Sequence, residues 1–175
     1  MKKIMILLAL VSAATTVSAQ KILSWKEAPI AASVDVSYNA LADDAFSNFD
    51  GWVGLGVDLQ YKNLYTGIVM SPQQKITSGG LKASSGFLTF GATLPLEVGK
   101  SVLSICPMVV VGGNVTSYYS QHNWDGYFSI GPGIKFSYII ANKVNVGVRY
   151  THLFCTPDNS PDGWFSVGGS VGYVF

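Results

Sequence analysis

From about residue 30 onward, apolar and polar side chains alternate with a period of two in one short segment after another. Successive side chains of a strand point to opposite faces, so each segment reads as a strand with one greasy and one wet face. The pattern predicts eight strands, at about 30–39, 51–61, 64–71, 86–96, 101–113, 126–140, 143–154 and 164–175. In the last, Phe165, Val167, Gly169, Val171, Tyr173 and Phe175 form the apolar set, and Trp164, Ser166, Gly168, Ser170, Gly172 and Val174 the other. In the first, Ala32, Val34, Val36 and Tyr38 alternate with Ser33, Asp35, Ser37 and Asn39. Only the strand at 64–71 has no clear facing. Pro107 and Pro132 lie inside predicted strands and each removes a ladder donor, so bulges or fraying are expected there, unless those strands are shorter than drawn.

The connections alternate between long polar loops and tight turns, long first and last. That is the layout of an up-and-down transmembrane barrel with longer extracellular loops and short periplasmic turns, and an even strand count puts both termini in the periplasm. The aromatics suggest two girdles: Tyr61, Tyr138, Tyr173 and Phe175 near the turns, and Tyr38, Trp52, Tyr118, Tyr119, Trp124, Phe154 and Trp164 near the loops. A soluble sandwich or lipocalin-like barrel would also alternate. It would not account for an aromatic last residue or for a polar face with so little charge.

The N-terminus changes the picture further. Lys2 and Lys3 precede a short apolar run and then Val17-Ser18-Ala19, the layout of a signal peptide cleaved after residue 19. Residues 20–29 are a polar lead segment, and 30–175 the barrel domain. Loss of the two lysines takes Lys+Arg from 11 to 9 against 10 Asp+Glu, a net charge of about −1. Such a balance argues against a nucleic-acid partner. Charged residues are only 12% of the chain, about half the usual share. Low charge, 19 glycines and no long apolar run after the leader fit a membrane-spanning barrel rather than a helical span.

With these residues in view, the chain resembles the small eight-stranded bacterial outer-membrane barrels, the group of the opacity-type adhesins and the transmembrane domain of outer membrane protein A. The resemblance covers about 30–175 and rests on architecture and on Gly172-Tyr173-Val174-Phe175. It implies a Gram-negative outer-membrane location. It also implies that Tyr173 and Phe175 resemble the signal read by the barrel-assembly machinery. No periplasmic domain is expected after Phe175.

Candidate chemistry is sparse. Asp35, Asp58, Lys135 and Arg149 fall on the inward faces, acids on strands 1 and 2 and bases on strands 6 and 7. Eight strands leave a lumen that side chains can fill. The four are expected to form a transverse ion-pair network that closes it, or else a gate or proton relay. Inward glycines at 54, 56, 131, 133, 147, 168 and 172 could instead leave a cavity. His152 falls on the lipid-facing set, as in lipid A deacylases, but Phe154 stands where a serine nucleophile would be needed. Cys106 and Cys155 are not expected to bridge, lying on strands two apart. Asp158 and Asp162 have a spacing that could meet Ca²⁺ but lack the rest of a calcium loop; no metal or cofactor is expected. Tyr118, Tyr119, His122 and Trp124 in the third long loop are candidate surface contacts for lipopolysaccharide or an extracellular ligand, or else girdle members.

The expected protein is therefore an all-β, eight-stranded antiparallel up-and-down barrel. Its expected role is non-enzymatic, structural or in surface interaction, in contact with outer-membrane lipid and lipopolysaccharide. A narrow porin-like pore or transporter for small or hydrophobic solutes is the alternative, and a lipid-modifying enzyme the least favoured.

Overall fold

The computed structural model describes residues 29–41, 51–75, 81–98, 101–118, 125–141, 143–156 and 163–175. The expected signal peptide and most of the lead segment lie outside them, as do most residues of the long loops. The strands are β1 (Ala31–Leu41), β2 (Gly51–Tyr61), β3 (Leu64–Lys75), β4 (Leu81–Ala92), β5 (Leu94–Val98), β6 (Ser101–Tyr118), β7 (Asp125–Ile140), β8 (Val144–Thr156) and β9 (Gly163–Val174). Each pairs antiparallel with its neighbours, and β1 closes on β9 from Ala31↔Val174 to Leu41↔Trp164. β4 and β5 both pair with β6 in one unbroken register, so they are two pieces of a single stave. The result is a closed eight-staved barrel, with no unpaired stave among the described residues.

The alternation sorts every stave. Val34, Leu55, Leu88, Phe136, Val148 and Val171 are exposed on the outer wall, whereas Ser33, Asp35, Ser37, Asn39, Asp58 and Thr151 are buried inside. β3 resolves the same way. Leu64, Ile68 and Met70 face out; Tyr65, Val69 and Ser71 face in. Its facing was illegible because the lumen wall it meets is itself apolar, so both of its faces carry hydrophobes.

Prolines mark the ladder defects. Opposite Pro107, pairing lapses between Gly91↔Met108 and Leu94↔Ile105, and the stave breaks at Thr93. Thr93 is held instead by the β2–β3 turn. Its N–H donates to the Asn63 carbonyl at 2.8 Å, and Asn63 Nδ2 donates to the Thr93 carbonyl at 3.0 Å. Beside Pro132, the β7–β8 ladder lapses between Ile130↔Phe154 and Gly133↔Thr151 with the register unchanged. Only glycine at 131 tolerates the approach of the His152 carbonyl there. Both sites are gaps, not bulges. The one register shift among the described ladders lies in β3 between Ser71 and Gln74, at Pro72. The in-register partner of Pro72 on β2 would be Val53. With no proline N–H to offer, the Gln74 carboxamide takes over: it accepts from Val53 N–H at 2.8 Å and donates to Val53 O at 2.6 Å.

Several staves run further than their apolar pattern. β6 continues to Tyr118 and β3 to Lys75, and β4 begins at Leu81. Beyond the apolar stretches the pairing persists while the hydrophobic cue stops, so polar ladder residues read as loop in the sequence.

Candidate functional site

The lumen is layered. Toward the long loops, Trp52, Trp164, Phe87, Val69, Val110 and Leu153 form an apolar cluster, all buried. The two indole rings lie 5.9 Å apart, tilted by 34°, and Phe87 meets Trp164 edge-on at 5.5 Å. Each indole N–H has a partner: Trp52 donates to Ser85 Oγ at 2.8 Å and Trp164 to Ser129 Oγ at 3.0 Å. Trp52 and Trp164 are therefore interior residues, a correction to the girdle reading. Both sit at inward positions of their strands, where lipid cannot reach them.

Below this layer lie the charges. Arg149 on β8 reaches across to Asp35 on β1 at 2.5 Å and Asp58 on β2 at 3.4 Å; Lys135 on β7 meets Asp58 at 2.6 Å. All four are buried, two of each sign, so the cluster is neutral. The guanidinium lies 5.3 Å from the centre of the Phe87 ring, and the Lys135 ammonium 5.1 Å from that of Tyr65. Lys135 and Arg149 are cross-strand partners on β7 and β8, so the two bases leave the wall side by side. Gly168 on β9 lies between Arg149 and Asp35. A Cβ there would stand 2.9 Å from Asp35 Oδ2 and 3.3 Å from Arg149 Nη2. The other inward glycines are equally occupied. Added Cβ atoms at 54, 56, 131, 133, 147 and 172 would each meet an atom inside 3.0 Å, so these positions open no cavity. They let neighbouring side chains and backbone close over them.

At the turn end, buried Ala31, Ile139 and Val174 form a second, smaller apolar layer. Between it and the charges a pocket beside Asp58, Lys135 and Asn145 holds about 10 Å³, room for one water at most. The alternation puts the residues of the larger apolar cluster on inward sets; that they join into one apolar layer was the part the sequence reading missed. Its signal was present in Trp52, Phe87, Val110 and Leu153, which are large apolar residues at inward positions.

The remaining candidates fall as follows. His152 faces out with its ring 4.7 Å from that of Phe154. Cys106 and Cys155 are not joined in a disulfide, and Cys155 Sγ lies 3.4 Å from Ser129 Oγ. Tyr173 and Phe175 are exposed on the outer wall with rings 5.3 Å apart. Tyr118 ends β6, paired with Leu81, and its side chain lies outside the described part. Tyr119, His122, Trp124, Asp158 and Asp162 lie outside the described residues altogether.

No protein-family model and no curated protein matches the chain. Solved structures do. Ail, the attachment invasion locus protein of Yersinia pestis, in complex with the heparin analogue sucrose octasulfate, aligns at TM-score 0.56 and 10% identity over 86% of this chain and all of that one. The N-terminal β-barrel domain of Pseudomonas aeruginosa OprF aligns at TM-score 0.55 and 7% identity, covering 83% and 97%. Neisserial surface protein A aligns at 0.54 and 10%, covering 86% and 99%. At such identities the likeness is one of fold: the chain has the architecture of the small eight-stranded outer-membrane barrels.

Proposed function

We propose that this chain is an integral protein of a bacterial outer membrane, non-enzymatic, with a solid non-conducting barrel that acts through structure and surface contact. The premise is the barrel's apolar outer wall, which needs lipid around it, together with the fold it shares with outer-membrane barrels. The observation that carries the reading is the filled lumen. An aromatic layer, a neutral ion-pair layer and a small apolar layer lie in series across it. In this reading Asp35, Asp58, Lys135 and Arg149 are a structural brace, not a gate. The termini are periplasmic and the long loops extracellular. Tyr118, Tyr119, His122 and Trp124 supply contact with lipopolysaccharide or an external ligand. Tyr173 and Phe175, outward aromatics at the turn end, are the pair read by the assembly machinery.

Planar-bilayer recording tests this. Wild type and Arg149→Ala are both expected to be silent, because the aromatic layer remains when the charge layer is opened. Steady unitary currents from wild type would establish a pore and overturn the reading. Currents appearing only in Arg149→Ala would make the ion pairs a gate.

A further inference from the structure

The turn-side half of the lumen holds more polar groups than its hydrogen bonds use. Lys135 carries three N–H donors, and among the described residues it has one hydrogen-bond partner, Asp58 at 2.6 Å. Close by, Tyr65 Oη, Thr93 Oγ1 and Asn145 Oδ1 are buried with no hydrogen-bond partner. These residues are 4%, 1% and 3% exposed, so bulk water does not serve them. They come from β3, from the break between β4 and β5, and from β8. All three line the small pocket that Asp58 and Lys135 also line. One orphaned buried polar atom is a cost to the fold. Three around one pocket, beside an ammonium with hydrogens to spare, make a built site.

The lining also selects the occupant. The pocket's volume of about 10 Å³ is that of one water-sized molecule. Charges of both signs face it, so a bare cation would meet Lys135 and a bare anion Asp58. Its orphans are an acceptor, Asn145 Oδ1, and two hydroxyls that can act either way. A small neutral molecule that both donates and accepts satisfies them all. The way in is from the turn end. Gln60 and Ser137 are the most exposed of the polar lining, at 6% each. Each lies one inward position nearer the turns than Asp58 or Lys135. On the opposite side Arg149 is fully buried, over the Phe87 ring.

We infer that this pocket is a binding site for one water molecule that acts as a fifth member of the brace. It accepts from the Lys135 ammonium and the Tyr65 hydroxyl, and donates to Asn145 Oδ1 and Thr93 Oγ1. Four bonds complete its set. The water thereby ties β3, the β4–β5 stave and β8 to the Asp58–Lys135 pair, which by itself joins only β2 and β7. The site rests on the reading of the four charges as a brace. Bilayer currents decide that reading, whereas the occupancy of the pocket decides this one.

The experiment is diffraction from crystals of the barrel, at a resolution that shows ordered water, joined to urea unfolding of variants. One solvent peak is expected within hydrogen-bond distance of Lys135 Nζ, Asn145 Oδ1 and at least one of the two hydroxyls. Thr93→Val and Asn145→Leu should each lower the unfolding midpoint by about 0.5 M, the worth of one hydrogen bond at the usual urea slope. Thr93→Ser keeps the hydroxyl and should keep the peak. A pocket without a peak overturns the site. So does an unchanged or raised midpoint in either apolar variant, because deleting an orphaned polar atom from a dry pocket is neutral or stabilising. An anomalous signal in the pocket after bromide or rubidium soaking also overturns it, by assigning the peak to an ion.

Discussion

Replacing Arg149 with methionine tests the interior directly. Arg149 is fully buried and supplies both a 2.5 Å contact to Asp35 and a 3.4 Å contact to Asp58. Methionine keeps most of the volume against Phe87 but removes the charge. The lumen is left with two carboxylates and one ammonium, and Asp35 loses its close cation. Breaking a buried pair by deleting one member costs about 3–5 kcal/mol, because the remaining charge is stranded in low dielectric. At a urea slope of about 2 kcal/mol per molar, that moves the unfolding midpoint down by about 2 M. Adding Asp35→Asn restores neutrality, since Asp58 and Lys135 still pair at 2.6 Å; the double variant should recover at least half of the loss. Lys135→Met should cost less than Arg149→Met, because Asp58 keeps Arg149. The assay is urea unfolding in lipid vesicles followed by the fluorescence of Trp52 and Trp164, which are buried beside the cluster. A wild-type midpoint for Arg149→Met, or a double variant less stable than the single, would refute the argument that charge balance holds the lumen.

Other outcomes follow from single positions. Gln74→Ala should remove two side-chain bonds to the Val53 backbone, costing about 1–2 kcal/mol locally; hydrogen exchange should speed up at Val53 and not at Leu59. Gly168→Ala should destabilise by about 1–3 kcal/mol, the cost of overpacking, because its Cβ meets the Asp35 carboxylate at 2.9 Å; an unchanged melting midpoint would show that the ion pair gives way freely. Phe175→Ala should lower the amount of barrel recovered in outer-membrane fractions without reducing export, and undiminished levels would count against its assembly role.

The sequence by itself determined the parts that depend on local alternation. Val34 beside Asp35, or Val148 beside Arg149, can sit in only one way when one face meets lipid and the other a lumen, so facing and stave number were legible. The inward placement of all four charges followed from the same parity. Pro107 and Pro132 announced weak points in the ladders, since a missing N–H is a property of the residue. Tertiary structure decided what parity cannot express. Which acid meets which base depends on strands far apart in sequence, brought together by closure of β1 on β9, as when Arg149 takes Asp35. Whether Trp52 and Trp164 belong to a girdle or to the core depended on the inward space being theirs to fill. The facing of β3 required its neighbours, because Tyr65 and Val69 pack against Phe87 and Val110 instead of water. The role of Gln74 exists only because folding brings Val53 opposite a proline. Alternation is a local property, set by the pleat of each strand; pairing, layering and the filling of space are properties of the closed wall.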